Sequence, residues 1–209
     1  MTTDATRTSV LRSTLTLVFF AIIASAVVAV TWVNTKQRIA DNNEAARVAR
    51  FAAVLGAVTF DTIDTDKPHV IPTPHTLPGN APVTYVTVRR ADAIVAWVFR
   101  ITAKGYSGPI QMMIGVTTDV RISGVRVITH SETPGLGDDI ERSKSDWIES
   151  FNGMQVRGET DTQWALKRDG GSFDGFTGAS ITPRAVIQAV AQTLRWAERH
   201  QDTLRETTP

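Results

Sequence analysis

Cysteine is absent from the 209 residues. That excludes disulfides, thiolate metal sites, Cys-ligated iron–sulfur clusters and a cysteine nucleophile. The absence suits either side of a membrane and leaves the redox compartment open. An excess charge of one sign is also missing: 22 Lys+Arg stand against 21 Asp+Glu. Setting aside Arg7, Arg12 and Asp4 leaves 20 of each from residue 36 onward. A neutral balance of this kind gives no electrostatic reason to expect nucleic acid. Histidines are few and scattered, at 69, 75, 130 and 200. His130 with Glu132 lacks a third ligand at a matching spacing, so no metal centre is expected. There is no P-loop, no Rossmann fingerprint and no Ser-His-Asp order that stands out. Internal repeats and low-complexity tracts are lacking as well.

What is present begins with one long apolar run. Ser13 to Thr35 contain no charged residue, and the run is densest from Leu15 to Val33. At helical rise this stretch spans about 35 Å, against a hydrocarbon core of about 30 Å. It reads as a transmembrane helix over 13–35, behind a short polar stub over 1–12. Ala24-Ser25-Ala26 looks like a signal-peptide cleavage site, but the apolar run continues past it. A signal peptide's apolar region is shorter, about 7–15 residues. Trp32 sits where an interfacial aromatic belongs. Arg7 and Arg12 precede the helix; Lys36, Arg38, Arg47 and Arg50 follow it. By charge alone this mildly favours a cytoplasmic C-terminal domain, although long domains translocate largely regardless of charge.

Residues 36–57 read as a second helical segment. Val48, Phe51, Ala52 and Leu55 fall on one face, with Glu44, Arg47 and Arg50 elsewhere. Residues 58–81, with Pro68, Pro72, Pro74 and Pro78, read as an extended connector. From residue 82 the period drops to two. Strands are expected around Val83–Val88, Ala93–Ile101, Ile110–Val116 and Val120–Ile128, joined by turns at 90–92, 104–109 and 117–119. Asp146–Phe151 reads as a short helix, since Trp147, Ile148 and Phe151 share a face. Trp164-Ala165-Leu166 reads as a last strand. Val186, Ala189, Val190, Leu194 and Ala197 recur at helical spacing. Helices at both ends of a mainly antiparallel sheet define an α+β domain over 58–200, followed by a tail at 201–209.

The stretch that carries chemistry is Asp174-Gly175-Phe176-Thr177-Gly178-Ala179-Ser180-Ile181-Thr182-Pro183. It is a glycine turn rich in hydroxyls, running into a helix start. Thr182 is expected as the N-cap and Pro183 at the first helical position. The Ser180 hydroxyl then lies beside a helix N-terminus, where free N–H groups and the dipole favour a phosphate. A well-capped strand-to-helix turn is the plainer alternative.

The segment Asp174, Thr177, Gly178, Ala179, Ser180 resembles the flavinylation motif of the FMN-binding subunits of Rnf and Na+-translocating NADH:quinone reductase complexes. Further segments narrow the resemblance. These are Glu132-Thr133-Pro134-Gly135-Leu136-Gly137-Asp138, Ser145-Asp146-Trp147-Ile148, Trp164-Ala165 with Lys167, Asp169-Gly170-Gly171-Ser172-Phe173-Asp174 and Gly105-Tyr106-Ser107-Gly108. In order, they resemble the RnfG component of Rnf electron-transport complexes over most of 82–196. The NqrC component of the quinone reductase is the nearest alternative, and a membrane-tethered scaffold without flavin is another.

The resemblance implies an electron-transfer subunit of an ion-translocating ferredoxin:NAD+ oxidoreductase, a redox carrier with no substrate turnover of its own. It implies FMN joined through a phosphoester to the last hydroxyl of the motif, here Ser180, where the family most often has Thr. Thr177 and Thr182 are neighbouring hydroxyls. Asp174 braces the turn or is read by a flavin transferase. Lys167 pairs with the flavin phosphate or is simply exposed. Thr133, Pro134, Gly135, Leu136 and Gly137, led by Glu132, are expected against the flat ring, and Tyr106 and Ser107 as a second contact loop. Implied partners are the other membrane subunits of the complex, the transferase and the lipid bilayer. The implied location is a bacterial inner membrane, single-pass, with the C-terminal domain on the periplasmic side. This is opposite to the mild charge signal, and the resemblance is followed.

Overall fold

The computed structural model describes residues 3–158 and 161–206. The chain forms two compact units, Met1–Ala49 and Arg50–Pro209. Helix α1 runs unbroken over Thr3–Leu55, so the two helical segments expected on either side of residue 35 are one element. Thr14–Trp32 is long and apolar enough to cross a membrane, with a mean hydropathy of 2.4, and none of it is buried by protein.

The globular unit is built on a sheet. Strands β1 (Thr62–Ile63), β2 (His69–Ile71), β3 (Val83–Arg90), β4 (Ala93–Lys104), β5 (Pro109–Thr117) and β6 (Ile122–Thr129) are all paired antiparallel. β3 to β6 form the expected meander, and β1 and β2 both pair with β3. The proline-rich connector therefore supplies two short edge strands as well as loop. Pro68 and Pro72 bound β2 on both sides, and proline cannot donate to a ladder, which keeps that pairing brief.

Both sheet faces are covered, in line with the α+β class. On one, Trp97, Phe99 and Ile101 of β4 meet Val186, Ile187, Val190 and Leu194 of helix α2 (Ile181–Arg199). The apolar residues of α2 recur every three to four positions, so a single stripe enters this core. The expected tail is instead helix α3 (Gln201–Glu206). Its Leu204 is fully buried, and its carbonyl accepts the Trp97 Nε1–H at 3.2 Å. On the opposite face, Phe51, Val54 and Leu55 of α1 pack on Val86, Val88, Val98 and Met113. The expected face of this helix is corrected: Val48 and Ala52 are exposed, and Val54 is buried. Only the last turn of α1 meets the sheet, so only its own apolar positions count. The side chains of Glu44 and Arg47 lie outside the described residues.

That last turn sits very close to the strands. A Cβ on Gly124 would lie 2.5 Å from the Val54 carbonyl oxygen, and Ser123 Oγ donates to the same oxygen at 3.0 Å. The clashing atom is backbone and cannot swing away. Gly124→Ala is expected to cost about 1–3 kcal/mol through overpacking, read as a lower thermal midpoint of the chain in detergent.

The expected strand at Trp164–Leu166 does not form. The chain doubles back through a 3-10 turn at Lys167–Asp169 and a left-handed Gly170, leaving one isolated bridge between Leu166 and Phe173. The expected short helix is present as a 3-10 turn over Trp147–Phe151.

Candidate functional site

The motif turn is held from below by aromatic rings. Trp147 meets Phe176 edge-on at 4.9 Å, and its Nε1–H donates to the Asp174 carbonyl at 2.8 Å. Phe151, Trp164 and Phe173 continue the cluster beneath it. Above this base the chain turns at Gly178, whose φ of +77° is in the left-handed region that disfavours a side chain. The Ala179 N–H closes the turn onto the Phe176 carbonyl at 3.3 Å.

Helix α2 begins at Ile181, with Ser180 in the cap position. This corrects the expected N-cap at Thr182 and moves Pro183 from the first helical position to the third. Proline is tolerated there because the first N–H groups of a helix have no intrahelical acceptor. The Thr182 hydroxyl caps nothing. It is 1% exposed and donates to the Glu132 carboxylate, fifty positions earlier. The Ser180 hydroxyl makes no cap hydrogen bond either.

Glu132 is a buried brace. One carboxylate oxygen accepts from Thr182; the other accepts the Ser107 N–H at 3.0 Å. A single side chain therefore ties together the β4–β5 hairpin, its own loop and the first turn of α2. The loop after it is internally fixed. Leu136 and Gly137 donate to the Thr133 carbonyl at 3.1 and 3.0 Å, and the Gly135 N–H donates to Asp138 Oδ1 at 2.6 Å. A Cβ on Gly137 would lie 2.9 Å from that of Glu132, so only glycine allows this approach.

These three segments enclose a cleft of about 460 Å³. Loop residues Thr133, Leu136 and Gly137 line one wall, and Gly178 to Thr182 line the other. Tyr106 stands at the mouth, with Glu132 at the back. Tyr106, Leu136 and Ile181 are large apolar side chains left exposed at this rim. Of the residues expected from the sequence, Tyr106, Glu132, Thr133, Leu136, Gly137, Gly178, Ala179, Ser180 and Thr182 come together here. Ser107 contributes its N–H to Glu132 from behind. Pro134 and Gly135 shape the loop without lining the cleft, and Thr177 lies outside it. Lys167 and Asp174 are also outside, paired with each other at 2.7 Å on the surface.

A second exposed pair flanks the helix start. Arg184 holds Asp169 at 2.8 Å, and its guanidinium keeps that carboxyl below the usual range. Three residues were not expected to serve the site: Ile181 on the wall, Trp147 beneath the motif, and His130, considered only as a metal ligand and set aside. Ile181 had a signal, being an apolar residue on the solvent side of a helix start. Trp147 and His130 act through contacts that no local pattern shows.

The donor set suits a phosphorylated aromatic cofactor. A free hydroxyl stands beside the unpaired N–H groups of a helix N-terminus, which attract phosphate. Apolar Leu136, Ile181 and Tyr106 lie across the opening, where a flat ring would be covered on part of its surface. The volume falls within the range of about 300–1,000 Å³ common for small-ligand sites.

The comparisons agree on the class: residues 105–195 match the family model of the FMN-binding domain. Residues 1–54 match that of the RnfG N-terminal region. The G subunit of the ion-translocating oxidoreductase complex of Pseudomonas aeruginosa (strain UCBPP-PA14) is 39% identical, covering 96% of this chain and 94% of that protein. Its counterpart of the same name from Pseudoalteromonas atlantica is 37% identical over 92% of this chain and 90% of its own length. That of Salmonella typhi is 54% identical over a shorter span, 53% of this chain and 54% of that protein. Among solved structures, Shewanella oneidensis NqrC has a TM-score of 0.46 at 20% identity, covering 69% of this chain and 71% of that one. The chain belongs to the RnfG family, the G subunits of ion-translocating oxidoreductase complexes.

Proposed function

We propose that this chain is the FMN-carrying electron-transfer subunit of a membrane-bound ion-translocating oxidoreductase complex of the Rnf type, with FMN joined through its phosphate to Ser180 Oγ. The observation that carries the reading is the position of that hydroxyl. Of the three hydroxyls in the motif, Thr182 is buried on Glu132 and Thr177 lies outside the cleft. Ser180 is half-buried, lines the cleft and is not used as a cap.

In this reading the protein binds and orients, and the flavin, when bound, supplies the redox chemistry. The helix N-terminus and Ser180 hold the phosphate end. Leu136, Ile181 and Tyr106 shield part of the ring from water, with Thr133 as a polar contact. The open mouth leaves an edge accessible to a redox partner, and no separate substrate pocket is called for. Lys167 keeps Asp174 ordered at the surface, where a flavin transferase can read the motif. The apolar stretch of α1 anchors the chain in a bacterial inner membrane, with the globular unit on the periplasmic side beside the other components of the complex.

Purification after co-expression with a flavin transferase tests the reading. The chain is expected to keep a yellow chromophore through denaturation. Colourless chain, from cells that flavinylate a control protein, contradicts it. A C-terminal alkaline phosphatase fusion is expected to be active, and an inactive fusion contradicts the periplasmic placement.

A further inference from the structure

A second cleft, also of about 460 Å³, is lined by residues 126–130, at and just past the end of β6, and by Glu141, Arg142 and Ser143. His130 lines this second cavity, two residues before Glu132, which lines the first. Its side chain is 11% exposed. Nδ1 lies 3.0 Å from the Glu132 backbone nitrogen, and Nε2 lies 2.7 Å from Glu141 Oε1. A backbone N–H can only donate, so Nδ1 must present its lone pair. The ring proton then sits on Nε2 and is given to Glu141. The tautomer is fixed from both sides by its neighbours. Glu141 responds in kind: the His130 hydrogen bond, chiefly, holds its carboxyl below the usual range.

The next link in this series is Glu132 itself. Its backbone is set by His130, and its carboxylate sets Ser107 and Thr182. Through its Nδ1, His130 fixes the main chain from which Glu132 reaches into the cofactor cleft. Hydrogen-bonded orienters of this kind determine the geometry of the groups that do touch a cofactor.

We propose that His130, as the Nε2–H tautomer held by Glu141, is a positioning residue for the FMN cleft, acting through Glu132 on the Tyr106–Ser107 loop and the first turn of α2. The inference rests on the FMN reading, and its test separates the two. His130→Leu removes both hydrogen bonds. His130→Asn restores the one that matters, because an Asn carbonyl at this position can accept an N–H two residues on, as in an Asx turn.

The full-length chain in detergent, loaded by co-expressed transferase, is compared by visible circular dichroism per bound flavin. The signal is expected to be lost in His130→Leu and regained in His130→Asn. Glu141→Ala, which frees the ring without emptying its site, is expected to fall between wild type and His130→Leu, and serves if the leucine variant does not fold. Two-bond proton–nitrogen spectra of the wild-type ring are expected to show a protonated Nε2 and a bare Nδ1. A lower melting temperature with unchanged dichroism per flavin would leave His130 merely structural and overturn the proposal; so would a protonated Nδ1. If wild-type chain carries no flavin, the cofactor reading fails by itself. The brace is then read in the amide signals of Ser107 and Thr182. A shift of both in His130→Leu supports it, and unchanged signals overturn it.

Discussion

Ser180→Ala is expected to abolish the flavin fluorescence band on a denaturing gel while leaving the protein folded. The two halves of this result have separate causes. A phosphoester needs a hydroxyl oxygen, and alanine has none. Loss of an N-cap serine ordinarily costs about 0.5–2 kcal/mol, because its side chain accepts an N–H of the first turn. Here no such bond is made. The stability change is therefore expected within about 0.5 kcal/mol, as for substitutions away from named interactions. Ser180→Thr is expected to keep the band, since it keeps the hydroxyl. Thr177→Ala is expected to keep it too. Fluorescence in Ser180→Ala would move the attachment to another hydroxyl. A large loss of stability would mean that Ser180 caps α2 after all.

Glu132→Ala is expected to produce the largest loss of stability of any single change in the cleft, about 3 kcal/mol. The side chain is 4% exposed and accepts two hydrogen bonds. Removing it leaves the buried Thr182 hydroxyl and the part-buried Ser107 N–H without an acceptor, at about 1–3 kcal/mol for each unsatisfied group. Glu132→Gln keeps one carboxamide oxygen for Ser107, and the Thr182 hydroxyl can rotate to accept from the amide. Its cost is expected at about 1 kcal/mol. The check is a urea titration of all three forms followed by tryptophan fluorescence. An unchanged midpoint in Glu132→Ala would show that the three loops do not depend on this carboxylate.

The meander was legible because runs rich in apolar and β-branched residues are separated by turn residues, although with both faces covered the middles of β4 and β5 are buried continuously rather than in alternation. Helix α2 was legible from its three-to-four spacing. What failed were places where a distant partner decides. Thr182-Pro183 looks locally like the start of a helix. Glu132 draws the Thr182 hydroxyl away, and the helix starts one residue after Ser180 instead. Trp164-Ala165-Leu166 has the residue types of a strand. No neighbouring strand is available among the described residues, and the Lys167 N–H closes instead on the Phe173 carbonyl at 2.7 Å. The tail looked polar because Leu204 is a single apolar residue among charged ones, yet it fills the core beside Trp97.

At the site, sequence order named both walls of the cleft, but the division of labour among their residues is set by contacts between segments far apart in the chain. Glu132 and Thr182 were expected at the cofactor. Their side chains are spent on each other, and the cleft is what their contact holds open. Lys167 was expected at the phosphate or in solvent, and it lies on Asp174 at the surface. His130 could be found only once its two ring nitrogens were seen to face a donor and an acceptor.

The central claim is that FMN is joined to Ser180 Oγ. Peptide mass spectrometry of flavin-loaded wild-type chain tests it most directly. Trypsin releases Asp169–Arg184, which contains all the motif hydroxyls. This peptide is expected to carry one FMN, with fragment ions placing the group on Ser180. Fragment ions placing it on Thr177 or Thr182, or an unmodified peptide from cells that flavinylate a control protein, would contradict it.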